Sequence, residues 1–266
     1  MGVLNVTPDS FSDGGLYATV DAAVARGLDL MAAGADLVDV GGESSRPGAE
    51  PVPLDVELER VVPVVRALAA AARRDGHGVR VSVDTVKPEV ATAALAAGAS
   101  LLNDISASLY EVAAAAGAGW VAMHMRGLPP TMQEDPQYVD VVGEVSSFLL
   151  ERAERARQAG VGEVWIDPGI GFGKTTAHNL SLLRHLGDLV GAGSGAGCAG
   201  VLVGTSRKRF LGVLAAPGSE ALAPVADRAE GSLATEAAAL VAGVGMVRVH
   251  DVAATVQMAR LYGPAA

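Results

Sequence analysis

Short apolar, β-rich runs alternate with longer alanine-rich segments of helical period along the whole chain, and most of the runs carry a polar residue at or near their C-terminal end. MGVLNV precedes a helical pattern over 18–34. DLVDVG at 36–41 precedes a helix from Leu54 to about Arg74. VRVSVD at 79–84 precedes a helix from Pro88 to Gly98, with proline at a helix start, where its missing N–H costs little. LLNDI, WVAMH, VWIDP, VLVG and MVRVH are five further runs, each before a helical candidate. Eight such units of roughly 30 residues predict a single α/β domain over 1–266, a (β/α)8 TIM barrel, which typically takes about 250 residues. A doubly wound open sheet is the alternative, but it gives no special reason for eight units. Strands buried on both faces should read as continuous apolar runs, as these do. The Gly/Ala/Ser stretch at 191–200 predicts a turn from the sixth helix into the seventh strand, and the alanine runs at 67–72 and 113–116 predict helix.

Barrel enzymes build their active sites at the C-terminal ends of the strands. Asn5, Asp39, Asp84, Asn103 with Asp104, His124, Asp167, and Arg248 with His250 all fall there. Asp84, Asn103 and Asp167 would converge on one opening, where two carboxylates and an amide match the N–H and NH2 edge of a flat heterocycle. Taken singly, each is equally a helix cap or a turn residue. Arg46, Lys208, Arg248 and His250 form a basic set after strands two, seven and eight, which implies an anion site. Arg207 and Arg209, flanking Lys208, read as solvated surface charges. Asn5 and the polar segment VTPDSFSDGG after it suit Mg2+ held jointly with a substrate phosphate. His124 and His250 lack a third ligand at zinc spacing, and no G-x-S-x-G elbow supports a serine triad. The loops at 6–17, 42–53 and 125–137 lie on the functional face and read as lids; a fourth long loop spans 215–226.

DPGIGFGKTT, from Asp167 to Thr176, superficially resembles a phosphate-cradling loop. That motif needs glycine at position 168, which is Pro168 and has no N–H to offer. Lys174 stays open between solvent exposure, a helix-start contact and ligand binding.

Composition narrows the partners. The chain of 266 residues carries a formal charge of −10, which argues against a nucleic-acid partner and leaves a local cluster of arginines to hold an anionic small molecule. Cys198 is the only cysteine, which excludes an intrachain disulfide and a cysteine zinc site. No apolar run long enough to span a membrane and no leader pattern is present, so a cytoplasmic protein without a membrane partner is expected.

GVLNVTPDSFSDGG, DVGGESSRPGA, VDT, NDI, MHMRG followed by TMQ, DPGIGFGK, GTSRKRFLG and RVHDV resemble, in order, the successive motifs of the dihydropteroate synthase family. The resemblance covers essentially the whole chain. It implies a homodimeric, Mg2+-using enzyme of folate biosynthesis that joins a dihydropterin-methyl diphosphate to p-aminobenzoate. Asp84, Asn103 and Asp167 would then hold the pterin edge, with Ile105 and Met123 as walls, and Asn5 would help hold Mg2+. Arg46, Arg248 and His250, with Val249 between the last two, would bind pyrophosphate, and Lys208 would span the pterin and the nucleophile. Ser45, Pro47, Phe172 and Arg209 would line the aminobenzoate site, with Phe11 and Asp13 closing over it. Asp84, Lys208, Arg248 and His250 are the expected catalytic group. Position 45 is Ser where Thr is also familiar; either supplies a hydroxyl. The family's short N-terminal extension does not precede the first strand, a departure expected to touch stability rather than chemistry. The rivals are a pterin-binding methyltransferase domain, which should lack the SRK and RVH anion set, and a catalytically weak pterin-binding paralogue.

Overall fold

Residue alternation within each strand decides what the protein can place on either side of its sheet. The computed structural model describes residues 1–6, 20–44, 51–76, 78–128, 131–218 and 221–262. Its strands are β1 (Gly2–Asn5), β2 (Leu37–Gly41), β3 (Arg80–Asp84), β4 (Leu101–Asp104), β5 (Gly119–Met123), β6 (Val164–Asp167), β7 (Gly200–Val203) and β8 (Met246–Val247). They lie in sequence order in one eight-stranded sheet in which every pairing is parallel. Beyond β8, Val249 accepts from Val3 N–H and donates to Met1 C=O, both at 2.9 Å, so the last segment is tied back to the first strand.

Among the described residues, α-helices cover one side: α1 (Val20–Ala32), α2 (Leu54–Asp75), α3 (Pro88–Ala97), α4 (Tyr110–Ala116), α5 (Val141–Gln158), α6 (Thr176–Arg184), α7 (Leu186–Gly195), α8 (Arg209–Ala215), α9 (Ala229–Val241) and α10 (Val252–Tyr262). The first three lie within two residues of the bounds the sequence predicts. Pro88 opens α3, and Gly98 ends it at φ 116°, a left-handed conformation that suits glycine. Both alanine runs are helical. Two expectations are corrected. The stretch at 191–200 is helical as far as Gly195, because α7 follows α6 after a break at His185. The unit after β7 carries both α8 and α9, and a short 3-10 helix, Val225–Arg228, fills the end of the expected 215–226 loop.

The main apolar core lies between sheet and helices. Val38, Val40, Val81, Val83, Leu102, Trp120, Ile166, Val201 and Val203 meet Leu30, Val64, Leu68, Leu149 and Leu186 there. A smaller cluster on the sheet's other side joins Leu37, Leu101, Val121 and Leu202 with Trp165 and Met246. By period two, that second side continues along the strands to Asn5, Asp39, Asp84, Asn103, Met123 and Asp167 at their C-terminal ends. Parallel register lines up Asn5, Gly41, Asp84 and Asn103 as neighbours across four strands, and Met123 with Asp167 across the next pair. The polar residues near the strand ends therefore share one face of the sheet.

Candidate active site

Arg248, one residue past β8, reaches across this face. Its Nε donates to Asp39 Oδ2 and its Nη2 to Asp84 Oδ2, both at 2.7 Å. Asn103 Nδ2 donates to the same Asp39 oxygen at 2.9 Å, so β2, β3, β4 and the end of β8 meet in one polar cluster. Asp39 is wholly buried, and its Oδ1 has no partner among the described residues. Burial pushes the Asp84 carboxyl up to about 7 against the pull of Arg248, with Asp39, Glu57 and Asp104 adding like-charge repulsion. The guanidinium contact favours the charged form of Asp84. Burial works against the Arg248 cation too, but Asp39 and Asp84 hold its pKa above the ordinary value. Of the five N–H donors of a guanidinium, two are engaged by these carboxylates, and the other three have no partner among the described residues.

Asp167 closes the opposite side. It is buried, its Oδ1 accepts from Gly169 N–H at 2.7 Å, and burial raises its pKa against Lys208 and that hydrogen bond. Lys208 Nζ lies 4.5 Å from the centre of the Phe172 ring and donates to Ile170 C=O. Burial pulls its ammonium down to about 8 against Asp167. His250 Nδ1 sits 3.1 Å from Ser206 Oγ, and burial together with Arg207 and Arg248 drives its pKa down to about 3, so it is a neutral imidazole at neutral pH. Ile105 and Met123 are buried at the ends of β4 and β5.

The Asp167–Thr176 loop is not a phosphate cradle. Five consecutive carbonyls, from Gly169 to Gly173, accept from side chains: Gly169 and Phe172 from Lys174, Ile170 from Lys208, Gly171 from Gln133, and Gly173 from Tyr138. Thr175 ends the loop as the N-cap of α6, forming a reciprocal capping box with His178.

Several expected residues stand elsewhere. Asp104 points away from the polar cluster: its carboxylate accepts from the Ser106, Ser108 and Leu109 N–H groups and from Trp120 Nε1, the cap-and-turn role open to any single strand-end aspartate. Val249 is buried in the main core and its backbone pairs with β1, so the structure does not bring its side chain to the site. Arg207 is not a solvated charge: its guanidinium grips Asp251 at 2.8 and 2.9 Å while its backbone takes φ 59°. Arg209, by contrast, is exposed on the first turn of α8 beside Lys208. Phe11, Asp13, Ser45, Arg46 and Pro47 lie outside the described residues.

Asn5 supplies one amide oxygen at the end of β1, half-buried and without a hydrogen bond to another described residue. Among the described residues no group of three or more His, Cys, Asp and Glu side chains could hold a metal. One neutral oxygen fits Mg2+ only in the mode where substrate phosphate and water complete its shell.

This polar face belongs to a recognisable lineage. A profile of the family described as pterin binding enzyme matches residues 1–250. A dihydropteroate synthase of Mycobacterium leprae is 45% identical over 271 residues, spanning 99% of this chain and 92% of that relative. The chain belongs to the dihydropteroate synthase family. The solved Yersinia pestis dihydropteroate synthase, a complex with a sulfonamide drug, superposes with a TM-score of 0.88 at 42% identity, covering 98% of this chain and 92% of that one. A Xanthomonas albilineans dihydropteroate synthase in complex with 7,8-dihydropteroate superposes at 0.81 and 44% identity, covering 98% and 91%.

The sequence assigns no role to two buried charged residues, Asp39 and Lys174. Asp39 was only one polar strand end among several, and its inward position two residues before Gly41 is the available signal. Of the roles open to Lys174, solvent exposure is excluded: it is 3% exposed, with Nζ 3.0 Å from His124 Nδ1 and within 3.2 Å of three carbonyls. The rarity of lysine in this chain was its only signal.

Proposed function

We propose that this chain is a dihydropteroate synthase that condenses (7,8-dihydropterin-6-yl)methyl diphosphate with 4-aminobenzoate, releasing pyrophosphate and forming 7,8-dihydropteroate. The reading includes a single closed (β/α)8 barrel over residues 1–266, a homodimer, a cytoplasmic location and Mg2+ brought with the diphosphate. The observation that carries it is the convergence of Asp84, Asn103 and Asp167 on the face where Arg248 and Lys208 supply cations.

In this reading the carboxylates of Asp84 and Asp167 and the Asn103 amide take the pterin edge, with Ile105 and Met123 as walls. Arg248, through its three remaining N–H donors, and the neutral imidazole of His250 take the diphosphate, with Arg46 from the second loop. Asn5 would hold Mg2+, whose charge would help neutralise the leaving diphosphate. Ser45, Pro47, Phe172 and Arg209 form the aminobenzoate side, with Phe11 and Asp13 above it.

The C–O bond from the pterin methylene to the diphosphate breaks first. Arg248 and Lys208 are fixed before reaction and aimed at the charge that develops, usually the largest catalytic term. The dihydropterin shares the positive charge left on its methylene, which Asp84 and Asp167 favour. The arylamine nitrogen then forms the new C–N bond and releases one proton to solvent. It is neutral at physiological pH, so no strong general base is required.

The test incubates purified protein with the dihydropterin diphosphate, 4-aminobenzoate and Mg2+ and looks for dihydropteroate by mass. Pterin binding without product would instead favour the catalytically weak paralogue.

A further inference from the structure

The β5–α5 and β6–α6 loops are pressed together without space between their backbones. A Cβ added at Gly169 would stand 1.9 Å from His124 C=O, and one at Gly173 would stand 2.1 Å from Arg126 C=O. Both glycines hold positive φ, 63° and 59°. Into this seam runs the side chain of Lys174, whose Nζ reaches His124 Nδ1 at 3.0 Å, His124 C=O at 3.2 Å, and the carbonyls of Gly169 and Phe172 at 3.0 Å each. One partner is on β5's loop and two are on β6's.

A buried ammonium costs free energy unless its protons meet acceptors. Three carbonyls and His124 Nδ1 surround Nζ here, and burial pulls its pKa down to about 7 against Asp167. His124 is suited to accept a hydrogen bond: its ring is packed edge-on against Phe148 with 5.0 Å between centres, and burial and Lys174 keep it neutral, with its pKa near 3. Gln133 and Tyr138 secure the Gly171 and Gly173 carbonyls from the β5 side, and Lys208 takes that of Ile170. No acceptor of Lys174 belongs to the ligand-facing groups, so the side chain acts on the site through the loop it holds. Asp167 is kept in place by β6 itself, where His124 N–H donates to its carbonyl at 2.9 Å, but Phe172 projects from the unpaired loop.

We propose that Lys174 is a positioning residue for the condensation: by clamping the His124, Gly169 and Phe172 carbonyls it fixes the Phe172 ring as the wall of the aminobenzoate subsite. The assignment rests on the function proposed above for the reaction, while the clamp itself is a property of the loop. Removing the ammonium frees Phe172 more than Asp167, so the two substrates respond unequally.

The test is a double-mutant cycle with steady-state kinetics and amide hydrogen exchange on the full-length protein. Lys174→Met should raise KM for 4-aminobenzoate about tenfold, the scale of a displaced positioning group, and change KM for the pterin diphosphate less than about threefold. Added to Phe172→Ala, Lys174→Met should raise the aminobenzoate KM no further, because residues acting through one another are not additive. The amides of Gly171 and Phe172, bonded to Asn179 Oδ1 and Gly169 C=O, should exchange about tenfold faster in Lys174→Met. A full additive effect in the Phe172→Ala background, or a folded Lys174→Met protein with unchanged KM and exchange, overturns the proposal. If Lys174→Met does not fold, Lys174→Gln enters the same cycle and is read the same way. If the wild type makes no dihydropteroate, the reaction assignment fails, and unchanged exchange at Gly171 and Phe172 would separately overturn the clamp.

Discussion

Arg248 and Asp39 stand 209 residues apart in sequence and 2.7 Å apart in space, and Asp39 is wholly buried. This cation neutralises a buried carboxylate, and in the proposed reading its remaining donors serve an anion. Arg248→Ala should lower kcat/KM by about 30-fold or more, equivalent to at least ~2 kcal/mol of lost transition-state stabilisation. It should also cost about 3 kcal/mol of stability, because removal of one partner leaves an uncompensated buried charge. Adding Asp39→Asn should recover part of the stability and none of the activity. Denaturant titration beside kinetics tests this, and recovery of activity in the double variant would remove Arg248 from the anion site.

Gly169→Ala and Gly173→Ala should each abolish the native loop, since a Cβ would sit about 2 Å from a backbone oxygen in a left-handed conformation. Gly191, inside α7 with nothing within 4 Å of its added Cβ, is the control: Gly191→Ala should stabilise by roughly 0.5–1 kcal/mol. Thermal melts of the three variants give the comparison, and a melt of Gly173→Ala equal to wild type would contradict the close approach of the loops.

Glu57 is 1% exposed and is held by Lys87 and by Thr85 Oγ1 at 2.7 Å. Lys87 also reaches Glu43, which accepts from Val52 N–H across the second loop. Lys87→Met should cost about 2–3 kcal/mol, toward the lower end for a broken buried pair because Lys87 is partly exposed. Combining it with Glu57→Gln should restore part of that loss in urea titrations; a double variant less stable than Lys87→Met would rule out an uncompensated Glu57 as the cause.

His124 should make the protein acid-sensitive. Its pKa is about 3 in the folded state, lowered by burial and Lys174, against an ordinary value of 6.5. Between those values the unfolded chain takes up a proton that the folded chain refuses, so stability falls as pH drops from 6.5 toward 3, by up to about 1.4 kcal/mol per unit. In His124→Gln that contribution is gone. The stability gap between wild type and variant, measured at pH 7, 6 and 5, should shift toward the variant at each step down. A gap independent of pH would mean that His124 takes up its proton as readily in the folded as in the unfolded chain.

The legible part of the site was the part set by strand ends. Asp84, Asn103 and Asp167 could be placed because a parallel strand alternates strictly and each lies at an inward terminal position. Asp104 follows Asn103 directly and, by the same period, faces the helices, where it caps the turn before α4. The break at His185 and the paired helices after β7 left no comparable mark, since both halves of each pair satisfy the same helical period.

By itself the sequence determined the eight-unit order, the strand and helix types and the inventory of charged strand ends, because these follow from local periodicity and from side-chain chemistry. The tertiary structure alone decided which charge meets which. It set Arg248 between Asp39 and Asp84, Arg207 on Asp251, and Lys174 among the carbonyls of two loops. Those pairings depend on distances between segments far apart in the chain, and on burial that turns an ordinary lysine or histidine into a group whose partners must be found inside the protein.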